Sequence, residues 1–405
     1  MYRKLLIGIL LSIILSLSCI GYSGYEKGVL GMNEAIAERV VDVTDKLEDL
    51  GIPFSAKGYA RNVWDMQILN CRLYLGHGNS NNYGPNPSEG PIPIYYYDIG
   101  LQKFVKQYMT NEDQLSNLKI LDGQLYVPGL DPRDSWDFGN FYRISGNNWE
   151  KIRTVPKAVH IFDMVEAKGK LYAATGSDDS NVLYQSQNYG KTWTPIKFDT
   201  NPPYWPISNR MYTLFNLSGK VYATSVVFDA SADNVKNKAV VIDGANVSTI
   251  NIFRNKVLPG ASKPYQYYKL GRGTEALGQM VYISQKYDYY DLWLTEALYH
   301  APDLNSAARV SFPEGEAIPM DLAVRGNTLY VMTYVKRSDS LYTNIVYKTE
   351  DFSKWTEVLR FNYNTFARSF EEVYGSFYFG MGCYVAKIPD TVGKILRVSA
   401  DTLFG

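Results

Sequence analysis

A short hairpin signature returns seven times along the chain: a polar or glycine turn, an apolar residue, an aromatic, then an extended run. The copies are Asn70-Cys71-Arg72-Leu73-Tyr74, Asp122-Gly123-Gln124-Leu125-Tyr126, Lys168-Gly169-Lys170-Leu171-Tyr172, Ser218-Gly219-Lys220-Val221-Tyr222, Gly278-Gln279-Met280-Val281-Tyr282, Gly326-Asn327-Thr328-Leu329-Tyr330 and Gly375-Ser376-Phe377-Tyr378. Their tyrosines lie 46 to 60 residues apart, the length of one four-stranded blade with its loops. The spacing predicts an all-β fold, a seven-bladed β-propeller of four-stranded antiparallel blades. Each signature then marks the turn from a blade's inner strand into its second strand.

The third copy reads as strands over 160–166, 171–175, 181–187 and 192–198, with alternation that suits strands packed between neighbouring blades. After the seventh copy only Ala400 to Gly405 remains, so the outer strand of the last blade must come from this tail or from the N-terminus. Two readings compete for the N-terminal region. Val40 to Thr44 is β-branched and suits a closing strand, whereas Asn33 as cap, Ile36, Val40, Val43, Leu47 and Leu50 at helical spacing, and Gly51 as terminator favour a helix over 34–50. The expected organisation is a signal peptide over 1–19, an extension over 20–57 with this helix, and the propeller over 58–405.

Lys and Arg number 41, as do Asp and Glu, and no long run of either sign occurs. Nucleic acid is therefore not an expected partner. Met1-Tyr2-Arg3-Lys4 followed by the apolar run Leu5 to Leu17 reads as a secretory signal, because such a run is shorter than the roughly 20 residues a membrane span needs. Cys19 after Leu17-Ser18 resembles a bacterial lipoprotein cleavage site, with Ser16 departing from the branched aliphatic residue that motif prefers. The expected location is secreted or at the cell surface, with a membrane contact only through an N-terminal anchor or lipid, and the expected state is a monomer. Cys71 sits in a hairpin turn and Cys383 near the far end of a second strand, beyond a disulfide's reach of each other. Two buried free thiols are expected.

Ser186-Gln187-Asn188-Tyr189-Gly190-Lys191-Thr192-Trp193 resembles the Asp-box, Ser-x-Asp-x-Gly-x-Thr-Trp, of sialidase-like β-propellers, with Asn in place of Asp. Thr349-Glu350-Asp351-Phe352-Ser353-Lys354-Trp355 is a shortened relative and Ser145-Gly146-Asn147-Asn148-Trp149 a more eroded one. All fall between third and fourth strands, where that family carries the motif. The resemblance implies the propeller fold and a turn-building role on the side away from the functional face. It does not imply sialidase activity: no Arg-Ile-Pro segment lies near the first blade, and that family has six blades.

Candidate site residues are sought on the opposite, funnel face. Arg61, His160, Arg210, Arg272 and Arg368 fall where the chain enters inner strands, and their convergence would make an anion site like the arginine cluster of the sialidase-like family. The loops after the second strands of blades one and two carry His77, Asn79, Asp131, Arg133, Asp134 and Trp136, groups that grip sugar hydroxyls and stack on sugar faces. The three histidines lack ligand spacing, so no metal and no cofactor are expected. The leading expectation is a propeller that binds a glycan or another extracellular ligand in the funnel. The alternatives are a sialidase-like glycoside hydrolase or lyase with an arginine-lined anion site, and a protein-interaction scaffold.

Overall fold

The computed structural model describes residues 41–81, 89–177, 182–198, 210–229, 236–261, 266–288 and 292–404. Seven sheets, antiparallel apart from one pairing made by the N-terminal segment, follow one another along the chain. Blade one is Asp65–Leu69, Arg72–Gly76, Pro93–Asp98 and Lys103–Met109. The same inner-to-outer order builds blades over 119–156, 158–195, 213–253, 266–309, 318–363 and 366–398. The seven-bladed propeller expected from the hairpin period is thus the observed fold.

The repeated residues explain why. Leu73, Leu125, Leu171, Val221, Val281 and Leu329 are buried, as are Tyr74, Tyr126, Tyr172, Tyr282 and Tyr378. Apolar and aromatic residues adjacent on a strand point to its two faces, so each pair packs toward both neighbouring blades. Removing one such side chain from water contributes roughly 1.5–3 kcal/mol. The turns rest on residues with left-handed backbone, such as Gly123 (φ 68°) and Gly169 (φ 76°).

The N-terminal segment closes the ring. Glu48–Gly51 pairs antiparallel with Ile395–Val398 and supplies the outer strand of blade seven. Val41–Asp42 runs parallel to the outer strand of blade six, Thr356–Tyr363. The helix expected over 34–50 is corrected within the described residues: 41–50 forms strand, 3-10 turn and strand, while 34–40 lies outside them. The physical reason is that two sheet edges offer backbone partners an isolated helix could not satisfy. The apolar residues that suggested a helical face pack into the propeller instead, with Val43 fully buried and Leu47 and Leu50 against the same core.

The thiol expectation is also corrected. Cys383 is free and buried, but Cys71 is half-buried and disulfide-bonded; its partner lies outside the described residues. The signal peptide and Cys19 lie outside them too. No described helix is long and apolar enough to cross a membrane.

The Asp-box-like turns are local braces. Gly190 N–H donates to Ser186 Oγ at 2.9 Å and Thr192 N–H to Asn188 Oδ1 at 2.9 Å, while the Trp193 ring meets Phe141 edge-on. In blade six, Asp351 Oδ1 accepts from the Ser353 and Lys354 N–H groups, and Trp355 meets Phe312 edge-on. An Asx side chain replaces missing backbone partners in both turns. The 145–149 copy is a two-residue hairpin whose Asn147 Oδ1 accepts from Arg72.

Candidate functional site

Inner strands line the central axis, and the residue nine before each hairpin tyrosine is Asp65, Asn117, Asp163, Thr213, Gly273, Asp321 or Ser369, polar in every blade but the fifth. The acids stitch neighbouring blades. Asp65 accepts from Met66 N–H and from Leu118 N–H in blade two, Asp163 from Met164 and from Leu214 in blade four, and Asp321 from Phe370 in blade seven. Asn117 donates to Phe162 O and Asp163 Oδ1, and Ser369 donates to Val63 O, continuing the same pattern. Burial pushes the Asp65 and Asp321 carboxyls up, opposed chiefly by the Arg272 guanidinium.

Beside these positions, β-bulges interrupt four inner strands, between Ile161 and Asp163, Gly271 and Thr274, Pro319 and Asp321, and Ala367 and Ser369. A bulge re-aims a side chain. The residues so displaced are Phe162, Arg272, Met320 and Arg368, ten before their tyrosines.

The five basic residues do not converge on one anion site, which corrects that expectation. Arg272 is spent on Asp65 (3.1 Å) and Asp321 (3.7 Å), and it donates to Trp64 O. Arg368 is buried, donates to Cys383 O at 2.5 Å, and lies over the rings of Trp64, Phe366 and Tyr384. Arg61 donates to Ala56 O at 2.8 Å. His160 faces Asp131 at 3.1 Å and stacks on Phe162. Like Arg61 and Arg368, Arg210 has no carboxylate partner among the described residues; it lies 5.8 Å above the Phe162 ring, and its charge partly offsets the rise that burial gives the Tyr212 hydroxyl.

The blade-one and blade-two loops are folded inward. Leu130–Pro132 pairs with both Glu112–Gln114 and the inner strand of blade three, at His160. His77 and Asn79 are consequently buried, which corrects their assignment to a ligand-facing loop. His77 Nε2 meets Pro93 O at 2.9 Å, its ring stacks on Phe54, and burial pulls its pKa down to about 4, so it is neutral at neutral pH. Arg133 pairs with Asp113 at 2.8 Å. Burial raises the Asp134 carboxyl, yet hydrogen bonds from Lys151, Asn111 and Asn140 outweigh this and hold it at about 2. Of the six loop residues Trp136 stands free, with 57% of its surface exposed.

What the structure does bring together was not singled out from sequence. Phe162, Tyr212 and Trp293 make a continuous aromatic wall across blades three to five, with ring centroids 4.5 Å and 5.4 Å apart. Tyr287 extends it against Trp293 at 5.6 Å. Lys269 Nζ lies 4.6 Å from the Trp293 ring centroid and 5.6 Å from that of Tyr212. Across the funnel, Trp64, Phe366 and Tyr384 surround Arg368. Among the described residues, no group of three or more His, Cys, Asp or Glu is placed to hold a metal ion.

No protein-family model and no curated protein matches the chain. Similar solved structures are YCF48 bound to a D1 peptide (12% identity over 89% of this chain and 99% of that one, TM-score 0.49) and a chain of the mitotic checkpoint complex (11%, 90% and 97%, TM-score 0.48). A third is the β-propeller domain of the Trilobed protease from Pyrococcus furiosus (9%, 84% and 92%, TM-score 0.47). The fold assignment rests on the seven sheets of the chain itself. A propeller of this kind is consistent with a ligand-binding or protein-interaction scaffold.

Proposed function

We propose that the protein is a secreted or surface-tethered propeller that binds a glycan on its funnel face and performs no chemistry on it. The observation carrying this reading is the aromatic cluster across blades three to five, in which Phe162 and Trp293 stay partly exposed on either side of the buried Tyr212. Ring faces bordered by hydrogen-bonding groups suit the apolar faces and hydroxyls of sugars. The signal-like N-terminus and the disulfide at Cys71 support an oxidising, extracytoplasmic setting. Kinship with the Asp-box propellers belongs to the same proposal, supported by the braced turns at Ser186 and Thr349. Hydrolysis has less support, because the funnel acids Asp65 and Asp321, which share Arg272, are buried and tied to it and to backbone N–H groups.

The test is glycan-array binding of the mature chain beside Trp293→Ala and Trp136→Ala. Trp293→Ala should weaken binding at least tenfold and Trp136→Ala should leave it unchanged. The reverse pattern would move the site to the blade-two loop, and no bound glycan at all would sink the reading.

A further inference from the structure

Two cations between blades three and five, Lys269 and Arg210, form no ion pair among the described residues. Lys269 rises from the inner strand of blade five, Gln266–Ala276, and makes no hydrogen bond or ion pair among the described residues; its described neighbours are the Trp293 and Tyr212 rings. The nearby acids are engaged elsewhere. Asp163 is held by Lys119 at 3.2 Å and by the Leu214 N–H, Asp131 faces His160, and Glu296 pairs with Lys286 at 3.4 Å. Burial, and then the charge of Arg272, push the Lys269 pKa down to about 7, with Asp163 only partly opposing. A cation in such a position is stabilised by an anion brought from outside.

Arg210 has its guanidinium over Phe162 and close enough to Tyr212 for its charge to act on that hydroxyl. The backbone makes room for it. At Gly176 an added Cβ would lie 2.8 Å from Phe162, 3.0 Å from His160 and 3.2 Å from Arg210, so these three side chains close over a position that glycine keeps open. The arrangement is an ammonium and a guanidinium that both lie near Tyr212, each against an aromatic ring.

We infer that this quadrant of the funnel takes a ligand carrying a carboxylate on a sugar ring, a uronate-type residue, with the carboxylate held by Lys269 and Arg210 and the ring against the partly exposed Trp293 and Phe162. The chemistry follows from the parts: a planar fork suits a carboxylate, an ammonium adds a point charge, and the aromatic faces take the ring. This rests on the glycan reading above and adds the charge of the ligand to it.

The test is calorimetric titration of the full mature chain with uronate-containing oligosaccharides, each beside its carboxyl-reduced counterpart. The acid forms should bind at least tenfold more tightly. Lys269→Met, which keeps the unbranched stem, should bring the acid form down to the affinity of the reduced form while leaving the latter unchanged, and Arg210→Gln should act in the same direction. Equal affinity for both forms, or equal loss for both in Lys269→Met, would overturn the charged site and leave sugar binding intact. Failure of every oligosaccharide, acid and reduced alike, would overturn both readings.

Discussion

Glu112 shows how far a single buried group can depart from its ordinary chemistry. Its Oε1 accepts from Asn140 at 2.6 Å and from the Tyr142 hydroxyl at 3.0 Å, whereas Oε2 is buried without a partner. Burial raises its pKa from 4.5 to about 7, the two hydrogen bonds opposing only in part. Because the folded-state pKa lies above the unfolded one, the protonated acid is favoured on folding. Its contribution is complete below about pH 4.5 and is lost as pH rises through about 7. A shift of this size corresponds to about 3 kcal/mol. Glu112→Gln, neutral at every pH, should therefore remove this part of the loss of stability between pH 5 and 8, and denaturant melts across that range would show the flatter profile. An unchanged slope would mean that Glu112 is ionised in the folded protein. The sequence gives no hint of this group, because Glu112 lies in a connection with no repeat to flag it.

At the scale of the strand, the acids nine before the tyrosine act as staples between blades. Asp163→Ala would leave the Met164 and Leu214 N–H groups unsatisfied and Lys119 unpaired, at a cost of about 2–4 kcal/mol. Asp163→Asn keeps an acceptor, and blade two already carries Asn117 in that slot, so it should cost less than half as much. Urea unfolding of the two variants measures the difference; equal losses would show that the charge on Lys119 matters more than the staple. This set of acids was legible in principle, since aligning the seven copies on their tyrosines puts Asp65, Asp163 and Asp321 in one column. The funnel cations were not. Arg272 and Arg368 stand ten residues before their tyrosines, on bulges, while Arg61, His160 and Arg210 stand twelve or thirteen before theirs. A bulge changes where a side chain points without changing the residue's type, so proximity to a strand entrance could not tell an axial ion pair from a free guanidinium. Lys269, also thirteen before its tyrosine, has nothing in the sequence to set it apart from other strand lysines; only the fold brings Trp293 and Tyr212 beside it.

For the whole molecule the decisive question is how a ring built from consecutive blades is held shut. Apolar periodicity suggested a helix near the N-terminus because it counts which side chains want burial but not which backbone groups lack partners. Blade seven, with three strands from the C-terminal segment, presents an edge that Glu48–Gly51 covers, and Lys394 and Arg397 pair across it with Asp49 and Glu48. Those exposed pairs contribute little; the backbone ladder and the burial of Val43, Leu47 and Leu50 contribute more. Removing residues 1–51 should therefore destabilise the propeller by at least about 3 kcal/mol and leave an open edge prone to pairing with another copy. Removing 1–40 keeps both strap strands. With both truncations compared under reducing conditions, so that Cys71 is equally free in each, the longer deletion should show the lower melting temperature and a concentration-dependent rise in apparent mass by light scattering. Equal melting of the two would mean that the ring closes through the contacts between blades one and seven alone, such as Ser369 with Val63 O and Asn62 with Cys383, and that the strap is an addition to a ring already shut.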